Sequence, residues 1–399
     1  MDFLKLDIKK EHKILTIIGI IYLIFLLLFV SKFNFNPSAT IELSENHLTQ
    51  YDGKIPPNIV IHKTDGFDGQ YYYMMVLNPS LEKIHIAPNF LQRILYPALA
   101  KILSLNITAL LPIVFILINL AAVLISSYVL LVLLKKYNAN LNLVYLWAFN
   151  VGFLIAITRN LTEPLMMCFI ALMIYFFEKE NHYWAASCLA LALLTRELAI
   201  TVYAAMLLYF LIKKDFRKLA LYSFSIVPFL IWETVLMYKI GAIALISSSY
   251  AITRLPFGIL NYFFNLFPNI SHYIIKNPEF SSDYLRGINR IFSPLPILLF
   301  TITQAIILVA NFLKEKKITV YSIILLSQIA LIGLLQKNLF FQEIDCVGRY
   351  ALVLFFFSIL YFAKRGEKYS KILTVLLILS SALYFIQRFI LPKGDFWIS

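Results

Sequence analysis

Eleven stretches of this chain are apolar over roughly the length a bilayer demands, and nothing else in it constrains folding so tightly. A membrane-spanning helix needs about 20 mostly apolar residues, with about 17 as the short end. The stretches run approximately 14–30, 108–134, 141–158, 162–177, 183–195, 197–212, 219–238, 294–313, 318–336, 347–363 and 371–390. The 183–195 stretch is short, so its boundary at Thr195-Arg196-Glu197 is the least sharply drawn. No small-residue cleavage site follows the first stretch, so the expectation there is a retained anchor. The composition agrees: 60% of residues are hydrophobic and only 14% charged, against about 45–50% and about 25% in soluble globules. The expected fold class is all-α, a polytopic membrane protein of about eleven transmembrane helices forming one integral-membrane domain over 1–399.

A net charge of +13 would suit nucleic-acid binding, but the positions of the basic residues argue for membrane orientation. With the N-terminus inside, the short inner segments collect Lys5, Lys9, Lys10, Lys13, Lys135, Lys136, Lys179, Lys213, Lys214, Arg217, Lys218, Lys314, Lys316, Lys317, Lys364, Arg365, Lys368 and Lys371. These are eighteen of the 35 basic residues, and basic bias in short loops sets orientation. The expectation is a multi-pass plasma-membrane protein with its N-terminus cytoplasmic and its C-terminus outside. In a eukaryotic cell the equivalent would be the endoplasmic reticulum, with lumenal chemistry. Two outer segments are long, 31–107 and 239–293, and are expected to form interfacial or re-entrant helices because unsatisfied backbone cannot face lipid. No internal repeat marks an inverted-repeat transporter.

Ionisable residues at span ends are costly and by default mark function. Arg159 and Glu163 flank one outer turn, and Arg196 and Glu197 another; Glu233 nears an outer end, Arg349 opens the tenth span, and Asp65, Asp68, Lys83 and Arg93 lie in the first outer segment. The glycines after Asp65 and Asp68 predict a tight turn feeding a short helix from about Gln70 to Leu77, which Pro79 stops. Tyr71, Tyr72 and Tyr73 would then anchor at headgroup level. The same residues also suit a plain Asx-turn under an aromatic belt. Thr162-Glu163-Pro164 opens a helix whose positive end would favour an anion such as phosphate. The competing reading of Arg159/Glu163 and Arg196/Glu197 is a pair of salt bridges closing helix turns. Cys168, Cys188 and Cys346 are too few for a disulfide framework, the six histidines lack zinc spacing, and no Walker loop or Gly-x-Ser-x-Gly is present. ATP-driven transport and lipase-like hydrolysis are thereby set aside.

Five short motifs in order, Phe67-Asp68-Gly69-Gln70-Tyr71-Tyr72-Tyr73, Gln92-Arg93-Ile94-Leu95-Tyr96-Pro97, Thr162-Glu163-Pro164-Leu165, Thr195-Arg196-Glu197 and Gly348-Arg349-Tyr350, resemble multispanning glycosyltransferases of the GT-C superfamily. The resemblance implies transfer of a sugar from a polyprenyl- or dolichyl-phosphate donor to a glycan, lipid or protein acceptor at the outer face, with no nucleic-acid partner. It implies that Asp68 is the acidic residue of the first outer loop at the catalytic position, acting as general base. The chemistry of such a transfer needs a carboxylate to take the acceptor proton and cations to stabilise the departing phosphate. Asp68 fits the first task, with Asp65 as a second candidate; Arg93, Arg159, Arg196 and Arg349 fit the second. Gln70, Tyr72, Glu163 and Glu197 are candidates for orienting substrate. A divalent cation, Mg or Mn, held by Asp65 and Asp68 is an alternative neutraliser of the phosphate. A lipid-linked-sugar flippase and a polysaccharide polymerase or ligase are the competing functions. The first would want ionisable residues near the midplane or on both faces; the second usually wants a large late outer loop rich in Arg and His.

Overall fold

The computed structural model describes residues 8–48, 51, 54–63, 66–81, 87–247, 262–264, 266, 268, 270–271, 282–335 and 344–390. Among these the chain is almost wholly helical. The helices that frame the bundle and the site include α1 (Ile8–Val30), α2 (Gly69–Leu77), α3 (Leu95–Leu103), α4 (Leu111–Lys136), α5 (Leu143–Ala148), α6 (Val151–Ile157), α7 (Glu163–Glu178), α8 (His182–Thr195), α9 (Ala199–Ile212), α10 (Val227–Ile240), α11 (Leu295–Glu315), α12 (Val320–Leu334), α13 (Ile344–Tyr350), α14 (Leu352–Arg365) and α15 (Lys371–Phe385). The only sheet among the described residues is a two-residue parallel pairing of Leu43 with Ile61 and Ser44 with His62. Asp65 and Lys83 lie outside the described residues, as does much of the 239–293 segment.

This is an all-helical membrane protein, but not one of eleven long spans. Among the described residues five helical runs are long and apolar enough to cross a bilayer, Lys10–Phe33, Thr108–Lys136, Phe216–Ile240, Leu295–Glu315 and Lys371–Ile390. The pair α13 and α14, bent by 45°, makes a sixth if counted as one span. The expectation of eleven fails because apolar runs do not fold into equally long helices. The 141–158 run breaks at Phe149-Asn150 into α5 and α6. The runs behind α7, α8, α9 and α12 give helices of 16, 14, 14 and 15 residues, which at 1.5 Å per residue reach only about 21–24 Å. Lipid accounts for the apolar surface that remains: Ile20, Leu23, Ile24, Leu27 and Leu28 on α1 are all exposed.

The bundle has two polar ends. At one, Lys135 pairs with Glu11 at 3.0 Å, and Glu178 at the end of α7 receives Lys136 at 2.6 Å, Lys364 at 2.5 Å and the Tyr321 hydroxyl at 2.8 Å. Arg365 forks onto Glu315 there. At the other end Glu163, the first residue of α7, meets Arg196 and Arg349. One 16-residue helix therefore runs from the basic end to the arginine cluster. A cavity of about 590 Å³ lined by Asn138, Asn140, Lys368 and Tyr369 belongs to the basic end, away from the cluster.

Close backbone packing sets the cluster's geometry. A Cβ on Gly152 would lie 2.7 Å from the carbonyl oxygen of Gly348, so these glycines let α6 and α13 approach and bring Arg159 beside residues 345–349. Gly69 is tighter still, since its Cβ would lie 2.1 Å from the carbonyl oxygen of Arg159. Gly69→Ala should therefore cost at least the roughly 1–3 kcal/mol of an overpacked core, read as a lower midpoint of thermal unfolding in detergent. A midpoint equal to that of the native chain would show that this contact does not hold α2 in place.

Candidate functional site

The site is built on the turn before α2. Gly66 takes a left-handed φ of +67°, and a Cβ there would meet the Glu42 carbonyl oxygen at 2.5 Å. The Phe67 amide donates to that same carbonyl at 3.2 Å. Gln70, fully buried, accepts the Ser44 amide at 3.0 Å and so fastens the helix to the short sheet. The turn thereby leaves Asp68, the residue preceding α2, facing two guanidiniums. Its Oδ2 lies 2.9 Å from Arg349 Nη1 and 3.6 Å from Arg93 Nη1. The short helix expected over Gln70–Leu77 is observed as Gly69–Leu77. The expected headgroup anchoring is not met by Tyr72 and Tyr73, which are fully buried because this helix packs against Leu95–Leu103 and Pro37–Ile41; Tyr71 is half-buried.

Around Asp68 the charges are shared in chains. Arg93 forks onto Glu197, with Nε at 2.9 Å and Nη2 at 2.6 Å, and donates through Nη1 to the Tyr72 hydroxyl at 2.7 Å. Glu163 Oε1 lies 2.8 Å from Arg196 and 3.1 Å from Arg349. Arg349 also donates through Nε to the Asp345 backbone carbonyl at 2.8 Å. Arg159 reaches Asp345 at 2.6 Å and Glu42 at 3.2 Å, and Arg388 pairs with Glu42 from the last helical turns. The Phe67 ring separates the two halves, with the Arg159 guanidinium 4.0 Å and the Arg349 guanidinium 4.8 Å from its centroid.

Accessibility singles out one edge. Side-chain exposure is 18% for Asp68 and 12% for Glu197, against 0% for Glu163 and 1% for Arg196. Burial alone would raise the Asp68 carboxyl, but the guanidiniums of Arg349, Arg93 and Arg196 outweigh it and hold it below its ordinary value. Glu42 behaves alike: burial raises it, and Arg388 and Arg159 bring it below the usual carboxylate range.

These contacts revise several expectations. Neither Arg159 with Glu163 nor Arg196 with Glu197 forms a local salt bridge: each residue pairs with a distant partner. The N-terminus of α7 is not an open anion site, because Glu163 itself occupies it and is wholly buried between two arginines. Arg196 lies behind Glu163, and Arg159 across the Phe67 ring from Arg349, so neither pairs with Asp68 as Arg93 and Arg349 do. Gln70 is spent on Ser44, and Tyr72 on Arg93. Glu233 is apart, its Oε2 accepting the Leu245 amide at 3.2 Å. Glu42, Asp345 and Arg388 join the cluster although no motif marked them. Arg388 stood inside the last apolar stretch, where any charge is a signal, and Asp345 stands one helical turn before Arg349.

A divalent cation fits poorly beside Asp68. Its Oδ2 is held by two guanidiniums, whose charge repels a cation, and no group of three or more His, Cys, Asp or Glu suited to a metal occurs among the described residues, Asp65 lying outside them. Comparison with protein-family models, with curated proteins and with solved structures finds no match for this chain. The geometry alone bears on function.

Proposed function

We propose that this chain is a membrane glycosyltransferase of GT-C type, moving a sugar from a polyprenyl-phosphate donor to a glycan, lipid or protein acceptor. The observation that carries this reading is a partly accessible carboxylate, Asp68, set against two guanidiniums at the end of the bundle opposite the lysine-rich layer. In the reaction the acceptor hydroxyl attacks the anomeric carbon while its proton passes to Asp68. The bond from the anomeric carbon to phosphate oxygen breaks, and its electron pair stays with the phosphate. Arg349 and Arg93 stabilise that charge. Arg196, through Glu163, holds Arg349 in position.

The test is turnover of purified chain in vesicles loaded with a panel of polyprenyl-phosphate sugars, read as release of free polyprenyl phosphate. Donor cleavage that depends on Asp68 supports the reading. No cleavage across the panel, with donors crossing the vesicle bilayer, would replace it by flippase activity.

The basic end lies in the cytoplasm under this proposal, because lysine-rich short loops stay inside, and the Asp68 cluster lies on the outer side of a plasma membrane. In a background lacking Cys168, Cys188 and Cys346, a cysteine at Ser80 should react with an impermeant maleimide in intact cells. One at Lys214 should react only after permeabilisation. The reverse pattern would move the chemistry to the cytoplasmic face.

An even balance of charge favours a second reading, in which the cluster only fastens the outer segment to the bundle. Among the described residues Arg93, Arg159, Arg196, Arg349 and Arg388 face Glu42, Asp68, Glu163, Glu197 and Asp345, five against five. That reading requires Asp68→Asn to alter stability and leave turnover untouched.

A further inference from the structure

The same balance of charge says how an anion would enter. Among the described residues each of these guanidiniums already pairs with a carboxylate, so a phosphate brought in beside them would add charge to a largely buried site, which is costly. It must take the place of a carboxylate. Glu163, Asp345 and Glu42 are excluded by burial, with side chains exposed by 0%, 2% and 3%. Glu197 is held by both oxygens on Arg93, at 2.6 and 2.9 Å. Asp68 is the most exposed of the five at 18%, and only one of its oxygens makes the ion pairs, at 2.9 and 3.6 Å. It is the most weakly held.

We infer that the donor's phosphodiester exchanges with Asp68 on Arg349 and Arg93, so that donor binding itself frees the carboxylate that takes the acceptor's proton. This rests on the proposed function and adds to it an order of events. While paired, Asp68 is a weak base, because a neighbouring cation stabilises its charged form. Once phosphate has neutralised those guanidiniums, the carboxylate gains proton affinity. The resting enzyme therefore holds its base in check until a donor is seated. Among the described residues the groups facing Asp68 are Arg349 from α13, Arg93 ahead of α3, Arg196 after α8 and Tyr72 on α2. Glu163 and Glu197 stand just beyond them as partners of those arginines.

The experiment measures binding of farnesyl methyl phosphate, a phosphodiester with one fixed negative charge, to the full chain in detergent by calorimetry. Asp68→Asn, which competes for the arginines only as a neutral acceptor, should bind it about tenfold more tightly, equivalent to about 1.4 kcal/mol. The native chain supplies a second measurement that needs no variant. Its affinity should rise several-fold as pH falls from about 7.5 to about 5, because the freed carboxylate takes up a proton on binding. Asp68→Asn should show no such rise. Dimethyl phosphate in parallel separates a lipid-borne phosphate from a free one, and exchange with either supports the inference. Equal or weaker binding by Asp68→Asn, or a flat pH profile of the native chain, overturns the exchange and leaves the proposed function standing. No binding of either diester to native chain and variant alike overturns both.

Discussion

Asp68→Asn is expected to lose about 10²–10⁴-fold in transfer rate, the usual cost of removing a general base, while still binding donor. The substitution keeps the size of the side chain and lets its amide oxygen accept from Arg349, so the turn held by Gly66 and Gly69 has no reason to reorganise. What it removes is the lone pair that accepts the acceptor's proton. The loss should fall on kcat, because the donor's phosphate contacts lie on Arg349 and Arg93 and remain in place. Asp68→Glu is the informative companion. It retains a base displaced by one methylene, and partial recovery of rate would point to proton transfer, not to a turn-forming role. Transfer within about twofold of native by folded Asp68→Asn would remove Asp68 from the chemistry and favour the anchoring reading of the cluster.

Glu163→Gln should be the most damaging single change to stability, by about 3–5 kcal/mol, the range seen when one partner of a buried ion pair is removed. Glu163 is wholly buried and its Oε1 serves two arginines at 2.8 and 3.1 Å. Arg196, itself 1% exposed, has its closest carboxylate there and cannot reach water. Arg349 keeps Asp68, so the uncompensated charge is chiefly that of Arg196. Adding Arg196→Met to Glu163→Gln should therefore recover much of the loss, since removing both charges avoids the desolvation cost that removing one exposes. Thermal unfolding of the two single variants and the double, in one detergent, closes the cycle. A Glu163→Gln midpoint indistinguishable from native would mean that the buried pair carries no stability.

Much of this architecture was legible in the chain. Apolar runs fix a helical membrane protein because backbone in lipid must bond to itself. Local chemistry fixed the helix after Asp68, where Gly69 opens it and Pro79 follows its end. What sequence could not give was how long each helix would be. A run's length counts apolar residues and not the turns at which Asn150 or Asn160 breaks the helix.

Pairing lay wholly with the tertiary structure. Arg196 and Glu197 are neighbours, yet Arg196 is extended, at φ −161° and ψ 136°. Their side chains therefore diverge, one to Glu163 and the other to Arg93. Arg159 and Glu163 have the spacing of one helical turn, but Asn160 between them takes a left-handed φ of 48° and ends the register. Arg388 reaches Glu42 across 346 positions of chain. Sequence determined that costly charges gather among apolar helices, because residue types and their order suffice for that. Which carboxylate meets which guanidinium depends on backbone breaks and close glycine contacts between distant segments, and only the folded chain decides it.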